Sequence, residues 1–273
     1  MILSTVHRPP STVHRPPSTV HRPPSTVHRL MLTLGIETAT DVCSVALLED
    51  DVVLAEAALR LPRQHAARLM PLIRDVLAHT GRAATDLDLV AVSEGPGSYT
   101  GLRIGVSTAK GLCLATGAAL VGVGSLEALA TKTDGVAQSG DYVVVAFPSR
   151  RGEVYAAGFQ HHPHECIRLT LPGAEPAAVP LAEFRSWWPA PDAERIWLLG
   201  PAAALLAGVD GPLPDYTHVL NGEMFGVSAA TVARIGRSTA FDVTTGALRG
   251  VDVASFEPSY LKEFVAGKPR PLF

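Results

Sequence analysis

The chain has 273 residues, of which 47% are hydrophobic and 18% charged, with a net charge of −3 at neutral pH. The longest weakly polar run, residues 111–126, is interrupted by glycines and shorter than the ~20 residues that a membrane helix requires, so no membrane span is expected. Cys43, Cys113 and Cys166 are odd in number and lack CxxC spacing, which predicts free thiols in a reducing, cytoplasmic compartment.

The first 30 residues form a low-complexity arm that repeats Ser-Thr-Val-His-Arg-Pro-Pro from Ser4. Paired prolines prevent a helix interior and favour an extended, disordered chain, and no apolar region marks a signal peptide. A Pro-rich ligand and a His-containing metal tail are alternatives to the favoured interpretation, a translated DNA repeat before a start at Met31. Because the arm holds four arginines and no acid, residues 31–273 carry a net charge of −7, which predicts poor binding of nucleic acid by this part alone.

Residues 31–140 are predicted to form a first α/β half-domain. Its strands are expected, in chain order, at residues 32–36, 42–48, 52–59, 87–92 and 120–123. The short links between the first three strands require an antiparallel meander. Helices are expected at residues 63–80, with Gly81 as a stop, and at residues 102–116.

Residues 141–273 are predicted to form a second half-domain. Its elements are expected to be a hairpin of residues 142–147 and 153–159, a strand at 195–199, a helix at 227–235 and a closing segment at 257–264. Residues 160–192 are rich in proline and histidine and predict a variable loop.

A glycine-rich turn joins the fourth strand to the second helix. Backbone N–H groups and the positive end of a helix meet at such a turn, which makes an anion or nucleotide contact at Gly95, Gly97, Ser98 and Thr100 one interpretation. A packing turn without a ligand is the favoured alternative, because the glycine spacing matches neither a P-loop nor a dinucleotide motif. Ser98 or Thr100 is expected to cap the helix.

The string that begins at Gly95, GPGSYTGLRIG, resembles the signature of the TsaB (YeaZ) family. Three further blocks resemble the same family: GIETAT from Gly35, RGEVY from Arg151 and EPSYLK from Glu257. The resemblance runs in order from Met31 to about Pro269. Relatives carry Asp-Ala ahead of the third block, where this chain has Pro148 and Ser149, so an acidic contact from this hairpin is in doubt.

The resemblance implies an α/β fold of two actin/Hsp70-like (ribonuclease H-like) half-domains with mixed sheets, the closing segment folding back on the first. It also implies a non-catalytic scaffold or activator that pairs with a TsaD-type transferase to form threonylcarbamoyladenosine in tRNA decoding ANN codons. A TsaE-type ATPase is a further implied partner, and tRNA is reached only through the complex. No intrinsic cofactor is expected; ATP or ADP at the partner complex and a homodimer of the chain alone stay open alternatives.

Catalytic and metal-binding groups are missing from the pattern. Glu37 lies where ATP-hydrolysing relatives of this fold place a metal-binding aspartate, but its side chain is one methylene longer, so a strand end and turn is the favoured interpretation. His65 has Leu69 rather than a second histidine four residues later, and it is expected to be solvated. No metal site and no catalytic residue are predicted.

Two weaker alternatives remain. The predicted loop contains a cluster of possible metal ligands: His161, His162, His164, Glu165 and Cys166. An accidental grouping on the surface is favoured over a metal site. The chain as a whole has two rival interpretations: a stand-alone ATP- or metal-dependent enzyme (a kinase or a glycoprotease-like peptidase), and a homodimeric module unrelated to tRNA.

The second helix has an apolar arc wider than the ~100° that one sheet covers, which predicts a second neighbour. Leu72 falls outside the apolar stripe of the first helix. The predicted partner interface therefore consists of Leu72, Gly101, Leu102, Ile104, Gly105 and Ala109. Burial against the chain's own second half is the rival explanation. On the interface interpretation, Leu72→Glu should weaken partner binding and leave the melting temperature nearly unchanged.

Overall fold

The computed structural model describes residues 30–61, 63–149, 152–162, 176–184, 194–209, 211–220, 226–242, 244–245 and 247–261. Within those ranges, none of the helices combines the length and the apolarity that crossing a bilayer demands. The repeat arm, Cys166 and most of the histidine-rich cluster lie outside the described residues.

The first sheet has five strands in the order β3-β2-β1-β4-β5. In chain order the strands are β1 (Leu32–Glu37), β2 (Cys43–Glu49), β3 (Val52–Leu59), β4 (Leu89–Gly95) and β5 (Ala119–Gly124). Short turns make β1, β2 and β3 antiparallel, whereas β4 and β5 run parallel to β1 because helices connect them. The predicted meander is confirmed.

Helices cover both faces of this sheet. In both halves of the chain together, the structure describes five α-helices: α1 (His65–Thr80), α2 (Tyr99–Thr116), α3 (Ser125–Ala130), α4 (Ala203–Ala207) and α5 (Ala229–Ala240). Side chains alternate along a strand, so Leu47 faces the core beneath α1 and α2, while Leu48 faces α5. A left-handed glycine ends α1 at Gly81, as predicted.

The second sheet repeats the topology of the first. Its order, β8-β7-β6-β9-β10, again has three antiparallel strands followed by two parallel ones. The strands are β6 (Tyr142–Pro148), β7 (Glu153–Gln160), β8 (Ala177–Pro180), β9 (Ile196–Leu199) and β10 (Thr217–Leu220). Two two-residue strands, β11 (Phe241–Asp242) and β12 (Ala247–Leu248), pair separately. This duplication confirms the predicted α/β class with two mixed sheets.

Helix α5 follows the second sheet in sequence but packs on the first sheet. Two glycines allow this close approach, because a Cβ on Gly35 would overlap the carbonyl of Ala229, and a Cβ on Gly236 would overlap Ala91. The residues after β12 also return to the first sheet, where the N–H of Val251 donates to the carbonyl of Leu120. Residues after the second sheet thus complete the packing of the first sheet, and the domain division at residues 140 and 141 stays a prediction.

Short elements escaped the sequence analysis. Strand β8 lies within the predicted variable loop, and neither α3, α4 nor β10 was expected. Helix α5 begins two residues later than predicted and continues to Ala240.

Candidate functional site

The glycine-rich turn forms the N-terminal end of α2. Ser98 is the capping residue, and its Oγ accepts the N–H of Gly101 at 3.3 Å. The N–H of Ser98 itself donates to the carbonyl of Ala39 at 2.7 Å, in the turn between β1 and β2. The turn is therefore anchored to the first hairpin. An anion contact at this place stays a prediction.

Three glycines of the turn and helix lie against that hairpin. A Cβ on Gly97 would overlap Ala39, and a Cβ on Gly101 or Gly105 would overlap Thr38. Gly101 and Gly105, four residues apart, share one face of α2, and Gly97 lies in the turn just before it. The close approach of the β1–β2 turn is thus one physical reason for the glycines.

Glu37, at the end of β1, points into the interior rather than into a cleft. Its carboxylate accepts hydrogen bonds from the Ser93 hydroxyl and, at 2.8 Å, from the N–H of Ala39. Burial raises the pKa of Glu37 from 4.5 to about 7, although hydrogen bonds from Ser93, Ala39 and Thr40 oppose the shift. Because both carboxylate oxygens are occupied by donors of the chain, Glu37 does not fit a metal or nucleotide site.

His65 is buried, and the prediction that it is solvated is wrong. The side chain is 7% exposed, and Nε2 lies 3.0 Å from the carbonyl of Thr40 and 3.4 Å from that of Val42. The imidazole therefore ties the start of α1 to the first hairpin turn. Among the residues that the structure describes, no three His, Cys, Asp or Glu side chains are grouped as metal ligands.

The predicted partner interface is wrong for most of its residues. Leu72 is 8% exposed and belongs to the core beneath α1 and α2. The buried α2 positions are Gly101, Leu102, Gly105 and Ala109. Their second neighbours belong to this chain: the β1–β2 turn, α1 and the closing residues. The apolar arc of α2 is wide for that reason, and only Ile104, which is half-buried, stays a prediction.

Other residues form the solvent-facing side of α1 and α2, two helices that contact each other. Met70 on α1 is 50% exposed and Leu114 on α2 is 75% exposed. Arg103 and Ser107 are exposed on α2 as well. Two large apolar side chains of these helices are therefore exposed to solvent.

An aromatic pair lies at the N-terminal end of the same surface. The Tyr99 ring packs against the Tyr260 ring, with centroids 4.9 Å apart and the ring planes tilted by 34°. The Arg103 guanidinium lies 5.5 Å from the centroid of the Tyr99 ring, and its Nη1 donates to the Tyr99 hydroxyl at 3.1 Å. The sequence analysis missed this group, and its only signal was that both tyrosines lie within motif blocks that are far apart in sequence.

The β6–β7 hairpin contains Pro148 and Ser149, which replace the Asp-Ala of relatives before the RGEVY block. Pro148 is exposed at the end of β6, and the N–H of Ser149 donates to the carbonyl of Glu153 at 3.0 Å. The strand pairing is continuous from Tyr142 to Pro148. The missing carboxylate therefore does not prevent the hairpin.

Comparisons with known proteins agree with this arrangement. The model of the tRNA N6-adenosine threonylcarbamoyltransferase family, TsaD, matches residues 56–167. The tRNA threonylcarbamoyladenosine biosynthesis protein TsaB of Escherichia coli K12 is 40% identical over 133 residues, which cover 48% of this chain and 55% of that protein. TsaB of Bacillus subtilis 168 is 37% identical over 134 residues, covering 48% and 56%.

A solved structure extends the similarity beyond these segments. YeaZ from Pseudomonas aeruginosa superposes with a TM-score of 0.70 at 26% identity, over 85% of this chain and 100% of that one. The sequence matches span about half the length of the curated relatives, whereas the structural match covers 85% of this chain. Taken with the four motif blocks and the duplicated topology, these matches show that the chain is similar to TsaB (YeaZ) proteins in about half of its sequence and in its fold.

Proposed function

We propose that this chain is a non-catalytic subunit that pairs with a TsaD-type transferase and supports threonylcarbamoyladenosine formation in tRNA decoding ANN codons. The observation that carries the proposal is the match to TsaB proteins, whose name states this biosynthesis. Because the chain spans about half the length of these curated relatives, the role of the whole protein is a proposal.

The first sheet supports a role other than catalysis. The carboxylate of Glu37 is fully buried and bonded to Ser93 and Ala39, so it is turned away from any substrate. His65 is likewise bonded within the chain, to the carbonyl of Thr40. Side chains whose polar atoms already form hydrogen bonds inside the fold hold the first hairpin in place. Such side chains are poor candidates for a general acid or base.

The exposed side of α1 and α2 is the surface that we assign to the transferase. Met70 and Leu114 supply apolar contact area there, and burying them against a partner would be favourable. The net charge of −7 on residues 31–273 argues that tRNA is bound by the transferase rather than by this chain.

The test is reconstitution with the TsaD-type transferase encoded in the same genome. Size-exclusion chromatography and calorimetric titration should show a complex, and modification of tRNA should require both proteins together with the adenylate donor. The chain alone should show no ATPase, peptidase or tRNA-modifying turnover above an EDTA-treated control. Turnover by the purified chain that disappears in Glu37→Gln or His65→Ala would establish the stand-alone enzyme instead.

Three finer parts belong to the same proposal. A TsaE-type ATPase should join the pair, and ATP or ADP bound where the subunits meet should change the affinity measured in the titration. The chain alone should form a homodimer that the transferase displaces, which light scattering at increasing transferase concentrations can measure. We place the assembly in the cytoplasm, and cell fractionation checks that location.

A further inference from the structure

The residues after β12 form a strap across the first sheet, which we define as residues 250–261. At its start, the N–H of Val251 donates to the carbonyl of Leu120 on β5 at 2.8 Å. Near its end, the N–H of Ser259 donates to the carbonyl of Glu94 on β4 at 2.7 Å. The strap therefore crosses from the edge of the sheet to the strand that leads into α2.

A lysine of α2 holds the middle of the strap. Nζ of Lys110 donates to the carbonyls of Ala254 and Phe256, each at 2.9 Å. The Phe256 ring lies over Gly122, where a Cβ would leave too little room for it. These contacts fix the strap along α2 as far as its N-terminal end.

The strap ends beside the exposed arginine of α2. Tyr260, which is 39% exposed, packs against Tyr99 with the ring planes tilted, and Tyr99 in turn lies beside the Arg103 guanidinium. Arg103 is exposed and makes no ion pair with any residue in the described ranges. Glu257, an acid of the strap, is exposed.

We propose that Tyr99, Arg103 and Tyr260 form one recognition surface that binds a carboxylate side chain of the transferase, with Tyr260 as a positioning residue. The inference rests on the proposed function and deepens it. One guanidinium N–H is used on the Tyr99 hydroxyl, so the other donors remain to bind a carboxylate in a bidentate manner. The Tyr99 ring, which packs against Tyr260, lies on one side of this fork and limits its motion.

The arrangement explains why two distant parts of the chain meet at this surface. Tyr99 belongs to the helix that carries the arginine, whereas Tyr260 arrives from about 160 residues later in the sequence. Without the strap, the Tyr99 ring would lose Tyr260 as its packing partner. The Arg103 guanidinium, which lies beside the Tyr99 ring, would then be less firmly positioned. Tyr260 thus acts through Tyr99, and Arg103 makes the contact with the transferase.

Titration calorimetry of the full chain with the transferase tests the proposal. Tyr260→Ala should raise Kd at least about fivefold, whereas Tyr260→Phe, which keeps the ring, should change Kd less than about twofold. Arg103→Ala should raise Kd at least about tenfold, with a smaller dependence of log Kd on salt concentration. The double variant should be weaker by less than the product of the two factors, because both changes remove one contact. Arg249→Ala, at an exposed arginine paired with Asp242, is the matched control and should bind normally.

The outcomes separate this inference from the proposed function. If the wild-type chain does not bind the transferase, both are overturned. If the wild-type chain binds and Arg103→Ala binds equally well, the recognition surface is overturned while the proposed function stands. Since Arg103 is exposed, a normal thermal melt of that variant is expected, and Tyr260→Ala is judged only where its melt matches that of Tyr260→Phe. Loss of binding by Tyr260→Ala alone, with Arg103→Ala unaffected, would also reject the shared surface.

Discussion

The hydroxyl of Ser93, on β4, donates a hydrogen bond to the carboxylate of Glu37, at the end of β1. These residues lie 56 positions apart in the sequence and join two neighbouring parallel strands of the first sheet. The other carboxylate oxygen accepts the N–H of Ala39, which begins the turn against which α2 packs. A single buried acid therefore connects the first hairpin to the strand that leads into α2.

Replacing Glu37 by glutamine should change how stability depends on pH. Because burial raises the pKa of Glu37 from 4.5 to about 7, the folded chain holds a proton between these values that the unfolded chain has released. The contribution of this group is complete below pH 4.5 and declines as the pH rises to about 7. Glutamine does not titrate, so Glu37→Gln should gain up to about 3 kcal/mol relative to wild type between pH 5 and pH 8.

Urea denaturation of both proteins at several pH values measures this difference. The absolute stability of the variant is a separate matter, since glutamine offers the donors of Ser93 and Ala39 only one acceptor oxygen. Asp215→Asn, at an exposed position of the second half, serves as the control and should follow the wild-type profile. Parallel profiles of wild type and Glu37→Gln would contradict the raised pKa.

Two glycines of α2 should respond in opposite ways to alanine. A Cβ on Gly105 would overlap the side chain of Thr38, so Gly105→Ala should destabilise the fold by about 1–3 kcal/mol. A Cβ on Gly111 meets nothing within 4 Å, so Gly111→Ala should stabilise it by about 0.5–1 kcal/mol through helix propensity. Denaturation curves of the two variants decide the matter, and equal shifts would mean that α2 does not approach the hairpin this closely.

Two neighbouring apolar residues of α1 provide a matched pair for the core. Leu72 is buried and Met70 is half-exposed. Leu72→Ala should cost about 2–4 kcal/mol of unfolding free energy, and Met70→Ala less than about 0.5 kcal/mol. Chemical denaturation measures both. A small effect at Leu72 would restore the sequence-based assignment of this side chain to a partner surface.

Deleting residues 1–30 should leave the fold and its function intact. The motif blocks begin after this arm, and its repeated Pro-Pro pairs favour extended chain. The shortened chain should melt within about 1 °C of the full chain, because the repeat sequence predicts an arm without packed contacts. Complementation of a strain that lacks the native gene gives the functional answer, and failure of the shortened form alone would show that the arm has a role.

Long, strongly patterned segments could be predicted from the sequence because their own residues determine them. The β1–β2–β3 meander follows from apolar runs joined by short turns, and the end of α1 follows from Gly81. Ser98 is one of the two predicted capping residues of α2, but the helix begins at Tyr99, three residues before the predicted start. Strand β9 could be predicted because its four residues, IWLL, are all apolar, whereas β8 (AAVP) and β10 (THVL) contain no such run.

The errors at the candidate site have a common cause. The sequence-based prediction gave α1 one buried stripe and assigned the wide apolar arc of α2 to a partner, whereas α1 packs on the sheet and also contacts α2, which buries Leu72 within the chain. His65 was expected in solvent, but its Nε2 lies within hydrogen-bonding distance of two carbonyl oxygens of the first hairpin turn. Contacts of this kind join residues that are more than twenty positions apart, and no local pattern records them.

The packing of α5 on the first sheet has a consequence for synthesis on the ribosome. About one hundred residues separate the end of β5, at Gly124, from the start of α5, at Ala229. Until these have been translated, the part of the sheet face that α5 covers, which includes Leu48, is exposed, and the strap is also absent. The nascent first half is therefore exposed to aggregation and to chaperones for as long as that stretch takes to emerge, and it reaches its native form only when nearly the whole chain has been made.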